Sequence, residues 1–296
     1  MIDAHHHLWD PARRDYPWMA GAALDPIRRP YTVDDLRAVT TAAGVHATVL
    51  VQTVSSAEET AEFLATAAAE PVIAGVVGWV DLTAPDVADR LAALGESGPL
   101  VGIRHQVESE DDAEWLLRPD VLRGLAAVGA AGLAYDLLVT VAQLPAARKA
   151  VEALPDQRFV LDHAAKPPIA GGGWQPWADE VAALAARENV FCKLSGLVTE
   201  ADWAAWRAGH LSRYVDHVLT AFGPGRLVFG SDWPVCELAA SYEVVGGGGG
   251  GGAGGGGGAR ARGGGCEKCP RAVGGGGGGG RGWVCGVGGW WARAAF

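Results

Sequence analysis

Short apolar runs recur over about the first 240 residues and alternate with stretches whose apolar positions follow a helical period. The apolar runs predict eight β-strands, at residues 2–7, 46–53, 72–80, 100–107, 132–139, 158–164, 190–197 and 226–232. Helices are predicted between them, at residues 31–43, 56–69, 85–94, 115–128, 141–154 and 203–222, with another ending near residue 187 and a last one beginning near residue 237. Eight strands alternating with helices are typical of an α/β fold of the (β/α)8 TIM-barrel type, and a doubly wound open sheet is the alternative.

Polar side chains at the ends of these strands favour the barrel. They follow nearly every predicted strand: His5, His7, Gln52, Trp79, Asp81, Arg104, His105, Tyr135, Asp136, Asp162, His163, Lys193, Ser195 and Asp232. In a barrel the carboxyl ends of the strands converge on one mouth, which is where catalysis takes place, whereas an open sheet would spread them along an edge.

The first strand carries an unusual group of three histidines. His5 and His7 stand two residues apart, so on a strand they point to the same face while His6 points to the other. Two neutral imidazoles on one rigid strand form half of a site for a divalent metal, and they could equally bind an anionic or carbonyl oxygen.

Two residues far along the chain can complete this half-site. His163 ends the sixth predicted strand and Asp232 ends the eighth. Three imidazoles and a carboxylate suit a divalent cation such as Zn²⁺ or Mn²⁺, which would polarise a carbonyl and activate water, and Asp232 could also accept the proton of that water. The alternatives are a buried core histidine for His163 and a turn residue for Asp232.

Five more residues are candidates for binding a substrate. Arg104 and His105 could hold a carboxylate or carbonyl, or could form an ion pair at a strand end. Lys193 is a lone cation in an apolar strand, which points either into the mouth or to its edge, and Gln52 is a similar case. Trp18 could form a wall of the pocket or belong to the core.

Composition excludes several classes of protein. The chain has 296 residues and a formal net charge of −10, and a nucleic-acid-binding protein would instead carry a basic patch. No apolar run approaches the ~20 residues of a membrane span, and no signal peptide is expected. The odd count of 5 cysteines, without a signal peptide, indicates reduced thiols and a cytoplasmic protein. The partner expected from the candidate site is a small-molecule substrate. The oligomeric state is left open.

The last part of the chain has a different composition. Residues 1–244 form the predicted barrel domain, whereas residues 245–296 are a low-complexity, Gly-rich tail that we expect to be disordered. A lone Cys-x-x-Cys there, Cys266 and Cys269, has no second ligand pair and is interpreted as accidental. Our hypothesis is that a reading-frame error in a GC-rich gene produced the tail, and sequencing the native gene tests it. A genuine tail would leave the barrel short of its last helix and less stable.

Several motifs together resemble those of a known family. IDAHHHLWD, YPWM, VLVQ, VGIRHQV, FVLDHAAKP, VFCKLSGL and LVFGSDWP occur in this order, and over residues 1–244 the chain resembles the amidohydrolase-related (amidohydrolase 2) family, in particular its L-fuconolactonase-like branch of sugar-lactone hydrolases. The resemblance implies a (β/α)8 barrel and hydrolysis of a lactone by activated water. It also implies that His5, His7 and His163 contact a metal or the carbonyl, and that Asp232 is the catalytic base. Members of this branch differ in whether they hold a metal, so a metal-independent reaction is left open.

These expectations lead to a functional hypothesis with two rivals. The hypothesis is a hydrolase that opens a small polar lactone, derived from a sugar or carrying two carboxylates, with water activated by Asp232. The first rival is a metal-dependent decarboxylase built on the same barrel, and the second is a damaged barrel without activity.

Overall fold

The computed structural model describes residues 1–247. The Gly-rich tail after residue 247, with Cys266 and Cys269, lies outside the described residues, so the hypotheses about the tail stay predictions. Within residues 1–247 the two cysteines, Cys192 and Cys236, are buried free thiols.

Eight parallel strands form one sheet whose spatial order equals their order in the chain. They are β1 Ile2–His6, β2 Ala47–Val51, β3 Ile73–Gly78, β4 Leu100–His105, β5 Ala134–Leu137, β6 Phe159–Leu161, β7 Val190–Leu194 and β8 Leu227–Phe229. A parallel bridge between His6 and Trp233 joins the first strand to the segment after the last. The Asp232 amide donates to the His5 carbonyl at 2.8 Å, and the His7 amide donates to the Trp233 carbonyl at 2.7 Å. These contacts close the sheet, so the predicted barrel is confirmed and the open sheet is excluded.

Helices follow the strands and cover the outside of the barrel. They are α1 Val33–Ala43, α2 Ala57–Ala69, α3 Val87–Glu96, α4 Pro119–Ala130, α5 Leu144–Ala153, α6 Trp177–Ala185, α7 Ala208–Phe222 and α8 Tyr242–Val245. In the described part of the chain, none of them combines the length and the apolar character needed to cross a bilayer.

Local sequence explains most helix boundaries. Thr32 and Asp35 form a reciprocal capping box at the start of α1, and Gly44 ends that helix in the left-handed conformation that glycine adopts most easily. The predicted helix at 115–128 is divided instead, because Pro119 lacks the amide hydrogen of a helix interior and begins α4 after a separate 3-10 turn. The predicted last helix is reduced to the four residues of α8.

Alternation along the strands divides the apolar residues into two cores. In β2, Leu50 packs with residues of the helical layer such as Leu36 and Phe63. Val49 and Val51 face the other way and contact Val77 inside the barrel. The barrel is therefore filled by side chains rather than open, and its polar residues concentrate at the carboxyl ends of the strands.

Candidate active site

Four side chains singled out in the sequence meet at the mouth of the barrel. The Oδ1 atom of Asp232 lies 3.5 Å from His7 Nε2, 3.7 Å from His5 Nε2 and 3.9 Å from His163 Nε2. All four residues are buried to at least 95%, with relative exposures between 0% and 5%. Three imidazole nitrogens thus converge on one carboxylate oxygen, although the residues are up to 227 positions apart in the chain.

The backbone directs these side chains inward in two different ways. Strand alternation directs His5 and His7 to the barrel axis and leaves His6 on the opposite side, where it is fully buried. His163 and Asp232 instead have positive φ angles of 52° and 57°, a left-handed conformation that is costly for residues with a β-carbon. Residues with a strained backbone cluster at functional sites, where the surrounding structure holds them in the unfavourable conformation.

Hydrogen bonds fix the orientation of two imidazoles. The Val51 carbonyl can only accept, so His7 donates to it from Nδ1 at 2.7 Å and keeps an Nε2 lone pair directed at the site. Arg104 can only donate, so His5 Nε2, which lies 3.2 Å from its guanidinium, carries a lone pair and not a proton. The two Nε2 atoms lie 3.1 Å apart.

This geometry fits a divalent metal. The atoms His5 Nε2, His7 Nε2 and Asp232 Oδ1 are separated by 3.1, 3.5 and 3.7 Å. Ligands around a tetrahedral zinc with bonds of about 2.0–2.1 Å are separated by roughly 3.3 Å, so these three atoms already have the spacing of one face of such a site. A second group, formed by His5, Asp162 and His163, is also compact enough, but Asp162 is already paired with cations.

Burial and neighbouring charges set the protonation states of the site. Burial lowers the pKa of His5 and of His163 below the ordinary value of histidine, which keeps both imidazoles neutral and able to act as ligands. Burial alone would raise the pKa of Asp232, but the positive charge that the surrounding imidazoles, His163 first among them, carry in acid outweighs it and holds this pKa below its ordinary value. Asp232 is therefore ionised at neutral pH and able to accept a proton.

A buried charge network lies next to His5. The Lys193 ammonium is bonded to Asp136 and lies 3.0 Å from Asp162 Oδ1 and 3.4 Å from His5 Nδ1. Arg104 donates to Asp162 at 3.0 Å and to the Gln52 carbonyl at 2.5 Å. Two cations are thus balanced by two carboxylates, and Lys193 is only 1% exposed.

The residues predicted to bind substrate take different positions. Trp18 and Arg104 line the cleft in front of Asp232. Gln52 and Lys193 are enclosed in the charge network, so they can act only through Arg104 and His5. His105 is not among the lining residues, because its ring is stacked on Trp115 and bonded to Trp79 and Glu110.

Several cleft residues were not singled out in the sequence. Glu108, Lys166 and Glu200 line the same cleft as His7, His163 and Asp232. They follow β4, β6 and β7 by a few residues, so they belong to the loops at the catalytic face of the barrel. Their position shortly after these strands is the signal in the sequence that they lie near the cleft. It does not show which way their side chains point, because loops lack the periodicity of strands and helices.

Comparisons with known proteins agree with this architecture. The model of a protein family described as Amidohydrolase matches residues 2–247. An L-fucono-1,5-lactonase of Burkholderia multivorans is 42% identical over 254 residues, covering 82% of this chain and 85% of that protein. An L-fucono-1,5-lactonase of Burkholderia ambifaria is 40% identical over 241 residues, covering 81% and 82%. The crystal structure of an amidohydrolase from Burkholderia multivorans with bound zinc is 43% identical, with a TM-score of 0.78 over 82% of this chain and 88% of that one.

Proposed function

The chain belongs to the amidohydrolase family, and we propose that it hydrolyses a small, polar, sugar-derived lactone with water activated by Asp232. The observation that carries the proposal is the convergence of three imidazole Nε2 atoms on Asp232 Oδ1, within 3.5–3.9 Å, in a cleft open to solvent. This arrangement offers one base and several neutral nitrogens around the position where a carbonyl carbon can meet water.

In the proposed mechanism, Asp232 accepts the proton of the attacking water, because it is ionised at neutral pH. The water adds to the lactone carbonyl, the ring C–O bond breaks, and Asp232 returns the proton to the leaving ring oxygen. His5 is held between Arg104 at Nε2 and Asp162 at Nδ1, and His7 by the Val51 carbonyl, so neither ring needs to reorganise during the reaction. Preorganised polar groups of this kind stabilise charge more effectively than water does.

We propose that His5, His7 and Asp232 hold a divalent metal, with His163 beside it, and that the metal is zinc. The ligand spacing described above and the nitrogen-rich donor set support zinc over manganese. When bound, such a metal would polarise a carbonyl and lower the pKa of nearby water toward ~7. Elemental analysis of the purified protein tests this: we expect about one zinc per chain, strongly reduced in His7→Ala. Wild-type-like zinc content in that variant would contradict the assignment.

The reaction is tested by measuring acid release from a panel of lactones. We expect Asp232→Asn to lower kcat/KM by about 10²–10⁴-fold, because the amide cannot accept the proton, with an unchanged circular dichroism spectrum. Asp89→Asn, which removes an exposed carboxylate of α3, is the matched control and should retain full activity. Turnover of the wild-type order in Asp232→Asn would refute the proposed role.

The same panel distinguishes the rival functions. A decarboxylase would release CO2 from aromatic acids and leave lactones intact. A damaged barrel would unfold cooperatively but turn over neither class of compound. Acid release from a lactone excludes both.

A further inference from the structure

We propose that Glu108, Lys166 and Glu200, here termed the charged wall, bind the hydroxyl groups of the substrate and select a neutral polyhydroxylated lactone over one that carries a carboxylate. This inference rests on the proposed lactonase function and specifies the substrate class of the same cleft.

The charged wall faces the same space as the catalytic groups. Its three members lie in three different loops, after β4, β6 and β7, and they line one cleft together with His7, His163 and Asp232. They are partly exposed rather than sealed, since Lys166 and Glu108 have side-chain exposures of 27% and 22%. They are therefore accessible to a ligand whose carbonyl lies at Asp232.

The charge of the cleft disfavours a substrate carboxylate. Lys166 forms an ion pair with Glu108 at 2.5 Å and also interacts electrostatically with Glu200, so two carboxylates share one ammonium. The other cation of the lining, Arg104, is committed to Asp162 and Gln52. Among the lining residues of the described chain, each cation thus already has a carboxylate partner. A substrate carboxylate that faces the charged wall would therefore approach Glu108 and Glu200 without a free side-chain cation to bind it.

The same groups are suited to hydroxyls. A carboxylate accepts hydrogen bonds at two oxygens, and an ammonium donates three, so together they satisfy both the donor and the acceptor of a sugar hydroxyl. Within residues 1–247 no donor hydrogen-bonds the Glu200 carboxylate, although this residue is partly buried, so its oxygens are available to a ligand. Trp18 adds an aromatic surface to the cleft against which the C–H groups of a sugar ring can pack.

The test is steady-state kinetics of the full chain with three probes. These are the neutral polyhydroxylated D-galactonolactone, its terminal-carboxylate counterpart D-galactarolactone, and the unsubstituted δ-valerolactone, which has no hydroxyl to bind. We expect wild-type kcat/KM to be at least ~10-fold higher for D-galactonolactone than for D-galactarolactone. A hydrogen bond to a charged group contributes about 10- to 100-fold, so Glu200→Gln should lose about that factor on D-galactonolactone, mainly through KM. On δ-valerolactone the loss in this variant should be at least ~10-fold smaller than on D-galactonolactone.

A double variant and a surface control complete the experiment. At pH 8, where Glu200 is ionised, Glu108→Gln with Glu200→Gln should narrow the preference for the neutral over the carboxylated lactone by about 10-fold or more, because both repelling charges are gone. Glu96→Gln removes an exposed carboxylate at the end of α3 and should leave all three rates unchanged. Melting curves verify that each variant is folded.

The outcomes separate this inference from the proposed function. If the wild type cleaves D-galactarolactone as well as D-galactonolactone, or if Glu200→Gln affects δ-valerolactone equally, the charged wall does not select hydroxyls, while the lactonase function stands. If the wild type cleaves none of the three probes and not L-fucono-1,5-lactone either, both the function and the inference are overturned.

Discussion

Gly196 offers a direct test of whether the position of His163 matters. This glycine follows β7 with a φ of +63°, and a β-carbon added to it would lie 2.6 Å from His163 Nδ1 and 3.1 Å from Asp232 Oδ2. Ordinary contacts of a β-carbon begin near 3.4 Å, so in Gly196→Ala the imidazole must move by about 0.8 Å. That movement disrupts the 2.9 Å hydrogen bond between His163 Nδ1 and Ser195 Oγ, which fixes the ring.

The expected result is a large loss of activity with a small loss of stability. A misplacement of ~1 Å at a catalytic group can reduce the rate by about 10²-fold, and we expect kcat/KM of Gly196→Ala to fall by this order. A left-handed alanine costs about 1–2 kcal/mol, which lowers the melting temperature of a chain of this size by about 2–8 °C.

Gly44→Ala is the matched control for this substitution. Gly44 has a φ of +66° and nothing within 4 Å of an added β-carbon, so the backbone penalty is similar and the clash is missing. We expect both variants to lose similar stability in thermal unfolding, while only Gly196→Ala loses acid-release activity. Full activity in Gly196→Ala would refute the reasoning that His163 must be held at its present position.

Two further predictions concern charged side chains. Lys193→Met leaves the carboxylates of Asp136 and Asp162 buried without their ammonium, so urea denaturation should show a loss of about 3–5 kcal/mol. Lys149→Met, which removes an exposed lysine 3.7 Å from a carboxylate, should cost less than ~1 kcal/mol, and equal losses would contradict a structural role for the network. Burial raises the pKa of Glu200 from 4.5 to about 7, so the folded state holds this proton more tightly than the unfolded state and loses the resulting stability as the pH rises from about 4.5 through 7. The melting temperature of Glu200→Gln should therefore rise relative to the wild type between pH 5 and pH 8, and a constant difference would contradict the shift.

The sequence predicted the barrel because the physical signals for it are local. Each strand is an apolar run of a few residues, and the ends of parallel strands must meet at one mouth. His5 and His7 follow from strand alternation alone, and Asp232 follows from its place shortly after β8. The conformation of His163 could not be derived in this way, because its left-handed φ of 52° depends on the surrounding structure.

The predicted start of the helix at residues 203–222 is wrong, because two signals compete there. Residues 203–207 continue the apolar character of α7, yet the helix begins at Ala208. The turn before it is held by Asp202, whose carboxylate accepts from the amides of Ala204 and Ala205. An aspartate that binds nearby amides in this way stabilises a turn in competition with a longer helix.

The positions of Lys193 and Gln52 show why a polar residue at a strand end need not touch the substrate. The sequence places both residues near the mouth of the barrel. It does not show whether the polar group of each side chain pairs with the substrate or with another residue of the protein. Here Asp136 and Asp162 supply that partner, and the ammonium of Lys193 remains 3.4 Å from His5 Nδ1. Enclosing such a network gains little stability over an apolar core, because the desolvation of the charges offsets their attraction. The network instead fixes the orientation of the His5 ring. Arg104 lies at Nε2 and the Asp162 carboxylate lies 3.6 Å from Nδ1, so the proton belongs on Nδ1, while burial and the charge of Lys193 lower the pKa of the ring and keep it neutral. A neutral ring with a fixed orientation is what a metal ligand or a carbonyl contact at this position requires.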